Sequence, residues 1–191
     1  MGFTKHALDL FISEKISLVT LCGASDVSAE FPHSKAWVSA FVLSTIFNDQ
    51  PPAQYRQLAL QFVRRVEMAF AEYASAVVHL EDFVNGSPGR WSLYYRALNH
   101  FEGSVAQIYM AYDHSWNALD KKYYGTDDGS LLDRLNKIYN DSRHVAVGAE
   151  QLCWITNEGL SSGRASVSFV EFEEHLRAYG RMAIKITGQE S

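Results

Sequence analysis

Residues Ala53–Val84 read AQYRQLALQFVRRVEMAFAEYASAVVHLEDFV. Tyr55, Leu58, Phe62, Val66, Ala69, Tyr73, Val77, Leu80 and Val84 recur at every third or fourth position. That period marks a helix with one buried face. Pro51 and Pro52 precede its first turn, where proline is tolerated, and Asn85-Gly86-Ser87-Pro88-Gly89 breaks it. The pattern resumes from Arg90 to about Tyr123 through Trp91, Tyr94, Leu98, Phe101, Val105, Ile108, Tyr112, Trp116 and Leu119. Two helices of ~30 residues are each ~45 Å long. A link this short folds them back on each other as an antiparallel hairpin.

Upstream, Ala7, Leu8, Phe11, Ile12, Ile16 and Val19 predict a helix over Phe3–Leu21. Cys22–Ser34 reads as a loop, and an apolar helix follows from about Lys35 to Phe47. Downstream of the hairpin, Gly125–Gly129 is a polar loop. Ser130-Leu131-Leu132-Asp133 has the spacing of a capping box and opens a helix reaching about Gly148. Leu152–Thr156 is short and partly β-branched, Asn157–Gly163 is turn-like, and Ala165–Val167 is expected to pair back as a small hairpin. Ser168-Phe169-Val170-Glu171 is a second capping box, opening a last helix to about Ile186. The expected fold is all-α, a single domain over residues 1–191. It is a five- or six-helix bundle dominated by the long hairpin, with a small β-hairpin before the last helix.

Composition narrows the function classes. With 47% hydrophobic and 20% charged residues the chain is of globular type and not disordered. Seventeen basic residues against 22 acidic give a net charge of −5, and no basic stripe is visible. That balance disfavours extended neutralisation of a nucleic-acid backbone and docking on anionic membranes. Cys22 and Cys153 stand far apart and form no metal-type or redox pair, which suits a reducing cytoplasm. Lys5, Asp9 and Glu14 interrupt the N-terminal apolar residues, so no signal peptide is expected. His6 stands where a myristoylation signal needs Ser or Thr. No uncharged apolar run approaches the ~20 residues of a membrane span. A cytoplasmic protein that does not engage membranes is expected.

Gly159-Leu160-Ser161-Ser162-Gly163 matches the G-x-S-x-G of a nucleophile elbow. That chemistry needs a strand-to-helix turn on a parallel sheet, and here the five residues fall in the expected hairpin loop. The Glu-x-x-His at Glu30-Phe31-Pro32-His33 is broken by Pro32, and His-x-x-x-His does not occur. His79, His100, His114, His144 and His175 are spread nearly one to a segment. No metal and no cofactor are therefore expected. Most of the 11 Phe, 10 Tyr and 4 Trp fall on helical stripes, where they pack a core. Lys121-Lys122-Tyr123-Tyr124 is the nearest approach to a base-stacking patch. Neither glycine-rich phosphate loop is present.

The segment Leu135-Asn136-Lys137-Ile138-Tyr139-Asn140-Asp141-Ser142-Arg143-His144 has a different character. Leu131, Leu135, Ile138 and Val145 supply a buried face, while Asn136, Asn140 and His144 recur every four residues as one polar ridge. Arg143 lies one turn beyond Tyr139 and Asn140. The ridge reads as a hydrogen-bonding seam against a helix or second chain, or as a small polar site. Arg96, Asn99 and His100, clustered on one turn of the fourth helix, are its expected counterparts, with Arg96, His100 and Asn136 as candidate ligand-binding residues.

Tyr139-Asn140-x-x-x-His144, late in a helical chain after a long hairpin, resembles the HEPN superfamily. The stretch from Leu135 to Leu160 is also similar to a group of small bacterial helical proteins. HEPN domains are common in prokaryotic toxin, phage-defence and nucleotidyltransferase-associated systems, and their active members are metal-independent ribonucleases; for this chain the resemblance implies a mobile-element or phage-defence setting. The active members carry Arg-x(4–6)-His, often with Asn after the Arg, and pair at a dimer interface. The resemblance places His144 at the motif histidine and Asn140 at the polar position, while Tyr139 stands at the arginine. A tyrosine hydroxyl cannot replace a guanidinium fork at a scissile phosphate. The resemblance thus implies a homodimeric, non-catalytic binding or regulatory component, with RNA or a protein as partner. The alternative is a ribonuclease with a degenerate motif using His144, Asn140, Arg143 and Tyr139. A second alternative is a small-ligand-binding bundle.

Overall fold

The computed structural model describes residues 24–49, 51–118, 127–143 and 153–189. Their helices are α1 (Trp37–Asn48), α2 (Arg56–Val84), α3 (Arg90–Ala118), α4 (Leu131–Arg143) and α5 (Phe169–Thr187). Three short strands, β1 (Trp154–Ile155), β2 (Gly159–Ser161) and β3 (Ser166–Ser168), lie between α4 and α5. The long hairpin is α2 against α3. On α2 the buried column runs Phe62, Val66, Ala69, Tyr73, Ala76, Leu80 and Phe83, in alternating steps of four and three. Val63, Phe70 and Val77 flank it at heptad spacing. The expected stripe shares its centre with this column, but Tyr55 is 47% exposed. Residues Ala53–Tyr55 form a 3-10 turn, which rotates Tyr55 out of the phase of the α-helix. Close approach of the two helices is bonded as well as packed. Ser104 is fully buried and donates to the Ala69 carbonyl at 2.8 Å.

The expected loop before α1 contains two 3-10 turns, Val27–Glu30 and Ser34–Ala36. It is fastened by the 3% exposed Glu173 of α5, whose carboxylate accepts from Ser25 N (2.7 Å), Ser25 Oγ (2.9 Å) and Tyr73 Oη (2.6 Å). Four donors can satisfy a buried carboxylate, and the fourth, Arg177, lies 3.5 Å away. Phe31 then meets Trp37 and Phe70 edge-to-face, with centroids 6.0 and 5.1 Å apart. α1 has no side-chain cap of its own; Glu67 of α2 accepts from Val38 N at 2.8 Å.

The short β element differs from the expectation. Instead of a two-stranded hairpin it is a three-stranded antiparallel sheet in the order β1-β2-β3. Ile155 pairs with Leu160, and Leu160 with Val167. The stretch read as turn-like thus holds the middle strand. Its glycine explains both facts, because a Cβ on Gly159 would lie 2.0 Å from the Val167 carbonyl oxygen. The residue that resembles a turn former is there for close backbone approach.

The capping box at Ser168 forms in full, with Glu171 N donating to Ser168 Oγ and Ser168 N to Glu171 Oε2. The one at Ser130 forms by half. Asp133 N donates to Ser130 Oγ at 3.2 Å, but the Asp133 carboxylate accepts from Asp127 N and Gly129 N instead of Ser130 N. No described helix is long and apolar enough to cross a membrane.

Candidate functional site

Leu135 and Ile138 are fully buried and fix the roll of α4, so Asn136, Tyr139, Asn140 and Arg143 lie toward its half-exposed side. Asn140 Nδ2 donates to Asn136 Oδ1 at 2.9 Å, so the ridge bonds to itself. The Tyr139 ring packs on Tyr109 of α3, centroids 5.1 Å apart at 32°. The Arg143 guanidinium sits 4.7 Å from the Tyr139 ring centre in a cation–π contact. His144, with the stretches Lys121–Tyr124 and Phe3–Leu21, lies outside the described residues.

The expected counterparts on α3 do not meet this ridge. His100 Nδ1 pairs with Glu72 Oε2 of α2 at 2.6 Å, and its ring stacks on His79, 5.4 Å away at 22°. Arg96 and Asn99 are exposed. The cause is helix phase: contact with α4 runs through Tyr109, while His100 lies on the part of α3 that meets Glu72 and His79.

Arg65 of α2, not singled out from sequence, completes the neighbourhood. Its Nη1 donates to Gln107 Oε1 at 2.8 Å. Its Nε is buried and has no hydrogen-bond partner among the described residues. Burial, then the positive charges of Arg64 and Arg143, hold its pKa below the ordinary arginine value, and Tyr139 partly offsets them. The signal in sequence is only an Arg-Arg pair before the buried Val66, on a helix far along the chain from Arg143.

Next to this site a second cluster ties α4 to the sheet. Asp141 is 1% exposed and bonded to Arg164. Cys153 Sγ lies 3.7 Å from the Ile138 carbonyl, and burial pushes its thiol up to about 12. It is therefore not a thiolate nucleophile. Burial pushes the neighbouring Glu102 up to about 7.

A cleft of about 480 Å³ lies along the sheet, lined in part by Arg134, Asn157, Ser161, Ser166 and Glu171. Of its three charged residues, Arg134 and Glu171 pair with each other, and Glu158 is the third. Arg134 bonds Glu171 through Nη2 at 2.8 Å and Nη1 at 3.2 Å, and this holds the Glu171 carboxyl at about 2. Ser161 of the G-x-S-x-G match lies in β2, not in a loop and not on a strand-to-helix turn. Among the described residues no group of three or more His, Cys, Asp or Glu could hold a metal.

No protein-family model, curated protein or solved structure matches the chain. The site's chemistry must be read from its own side chains. It offers the Arg143 guanidinium on the Tyr139 ring, with the amides of Asn136 and Asn140 on the same helix. No described residue there is set up as a nucleophile with a base.

Proposed function

We propose that this chain is a HEPN-like helical binding or regulatory component of a phage-defence or mobile-element system, without ribonuclease chemistry of the usual kind. The observation that carries this reading is the packing of Tyr139. The residue at the position of the motif arginine is a ring held against Tyr109, and the adjacent guanidinium of Arg143 lies on that ring. A side chain used as packing does not supply the charge that a phosphodiester transition state needs. The test is incubation of a single-stranded RNA with the protein in the absence of metal. No cleavage above the level of His144→Ala is expected. Cleavage that disappears in His144→Ala would overturn the reading in favour of the ribonuclease, for which Arg65 and Arg143 would have to replace the missing arginine.

The component is further proposed to act as a homodimer through α1. Val42, Leu43, Ile46 and Phe47 form one stripe on that helix and are 43, 53, 67 and 76% exposed. A stripe of that kind supports a partner surface, for which a second copy of the chain is the proposed occupant.

A further inference from the structure

We propose that the cleft on the outer face of the β-sheet holds a neutral, hydroxyl-rich small molecule, either a sugar or the ribose of a nucleoside. The proposal goes beyond the reading above and does not rest on it, since the cleft shares no residue with the Tyr139 site.

Strand register builds the cleft. Ile155, Leu160 and Val167 pair across the three strands and are buried. Alternation then puts Gly159, Ser161, Ser166 and Ser168 on the opposite face. Sheet faces favour β-branched and aromatic side chains, yet on β2 and β3 this face carries nothing larger than serine. The volume left over is the cleft of about 480 Å³. It falls within the ~300–1,000 Å³ of small-molecule sites.

The walls are fixed before a ligand arrives. Arg134 is bonded to Glu171 and, through Nη1, to the Ser166 carbonyl at 3.0 Å. Glu171 is held in turn by its capping box with Ser168. At the other end Thr156 Oγ1 accepts from Glu158 N at 3.2 Å and Gly159 N at 3.1 Å. Such walls need little reordering on binding.

The same contacts select the ligand class. A peptide strand could add only at a sheet edge. On β3 the Ser166 carbonyl and Ser168 N are already bonded, and on β1 Ile155 N donates to Tyr94 Oη at 3.1 Å. An anion finds Arg134 neutralised by Glu171, and Glu158 is an exposed carboxylate that repels it. Ser161 and Ser166 stand opposite each other across the β2–β3 ladder, and no hydrogen bond among the described residues uses either hydroxyl. Each hydroxyl both donates and accepts, which matches neighbouring hydroxyls of a ligand. Trp154, the partner of Ser161 on β1, adds an aromatic ring on the same face, on which the C–H face of a sugar ring packs.

The test is titration of the full-length protein with D-glucose, D-galactose, D-ribose and adenosine, read by calorimetry and by ligand-observed NMR. Saturable binding of at least one is expected. Ser161→Val and Ser166→Val fill the cleft with a side chain that strands favour. Both should keep the wild-type circular dichroism and melting temperature while binding weakens by about tenfold or more. Asn136→Ala lies outside the cleft and should bind as wild type. Tightest binding of adenosine assigns the site to a nucleoside; tightest binding of a monosaccharide assigns it to a sugar. Absence of saturable binding to all four, binding unchanged in both valine variants, or tighter binding of D-glucose 6-phosphate than of D-glucose would overturn the proposal. None of these outcomes bears on RNA cleavage, so the two readings fail separately.

Discussion

Burial pushes the His175 imidazole from 6.5 down to about 4, and it pushes the Glu102 carboxyl from 4.5 up to about 7. His175 packs on Tyr179 with ring centroids 4.5 Å apart, and its Nε2 is buried without a hydrogen-bond partner among the described residues. The two residues act on stability with opposite sign. Between the unfolded and folded values of His175 the unfolded chain binds the extra proton, so stability falls as pH falls from about 6.5 toward 4. For Glu102 the folded chain binds the extra proton, so stability falls as pH rises from about 4.5 toward 7. Each effect is on the order of 2–3 kcal/mol, because a pKa unit is worth about 1.4 kcal/mol. Wild type should therefore have a nearly flat urea midpoint from about pH 4.5 to 6.5. His175→Phe should leave only the Glu102 slope and gain stability on acidification. Glu102→Gln should do the opposite. Parallel profiles for the two variants would show that neither group titrates as its burial implies.

At the scale of elements, the sequence disclosed periodicity and hid contacts. Helix existence followed from apolar spacing, and the Ser168 cap from Ser-x-x-Glu, because both are local rules. The phase error at Tyr55 came from a 3-10 turn, and β2 was missed because Gly159 has the same letter whether it turns or lets another strand approach. The candidate site was legible by half for the same reason. Tyr139, Asn140 and Arg143 share one helix, whereas Tyr109 joins them only through tertiary packing, and His100 is claimed by Glu72. Two substitutions test the element contacts. Gly159→Ala should break the β2–β3 pairing and cost about 3 kcal/mol or more, since the obstacle is backbone at 2.0 Å. Ser168→Ala should cost only about 1 kcal/mol, the value of one N-cap, by chemical denaturation. A Gly159→Ala protein as stable as wild type would mean that the strands do not lie this close.

On the scale of the whole molecule, α1 is the element that the described residues leave partly uncovered. The interior takes only Trp37 and Phe41 of its residues fully, at 0 and 3% exposure. No residue from Trp37 to Asn48 carries a charge, and Val42, Leu43, Ile46 and Phe47 are among its exposed positions. An apolar helical stripe of this kind is normally covered. Pairing with a second α1 across a two-fold axis meets no like-charge repulsion along the stripe. In the antiparallel arrangement it also opposes the two helix dipoles. Static light scattering at micromolar concentration should therefore give twice the 21.5 kDa chain mass. Ile46→Asp combined with Phe47→Asp should return the mass to that of one chain. Both positions are exposed in the single chain, at 67 and 76%, so the folded protomer should keep its circular dichroism and its melting temperature at high dilution. A wild-type mass of one chain would refute the dimer outright. A double variant that remains dimeric would move the interface elsewhere, with the half-exposed Asn136–Asn140 ridge of α4 as the next surface to alter.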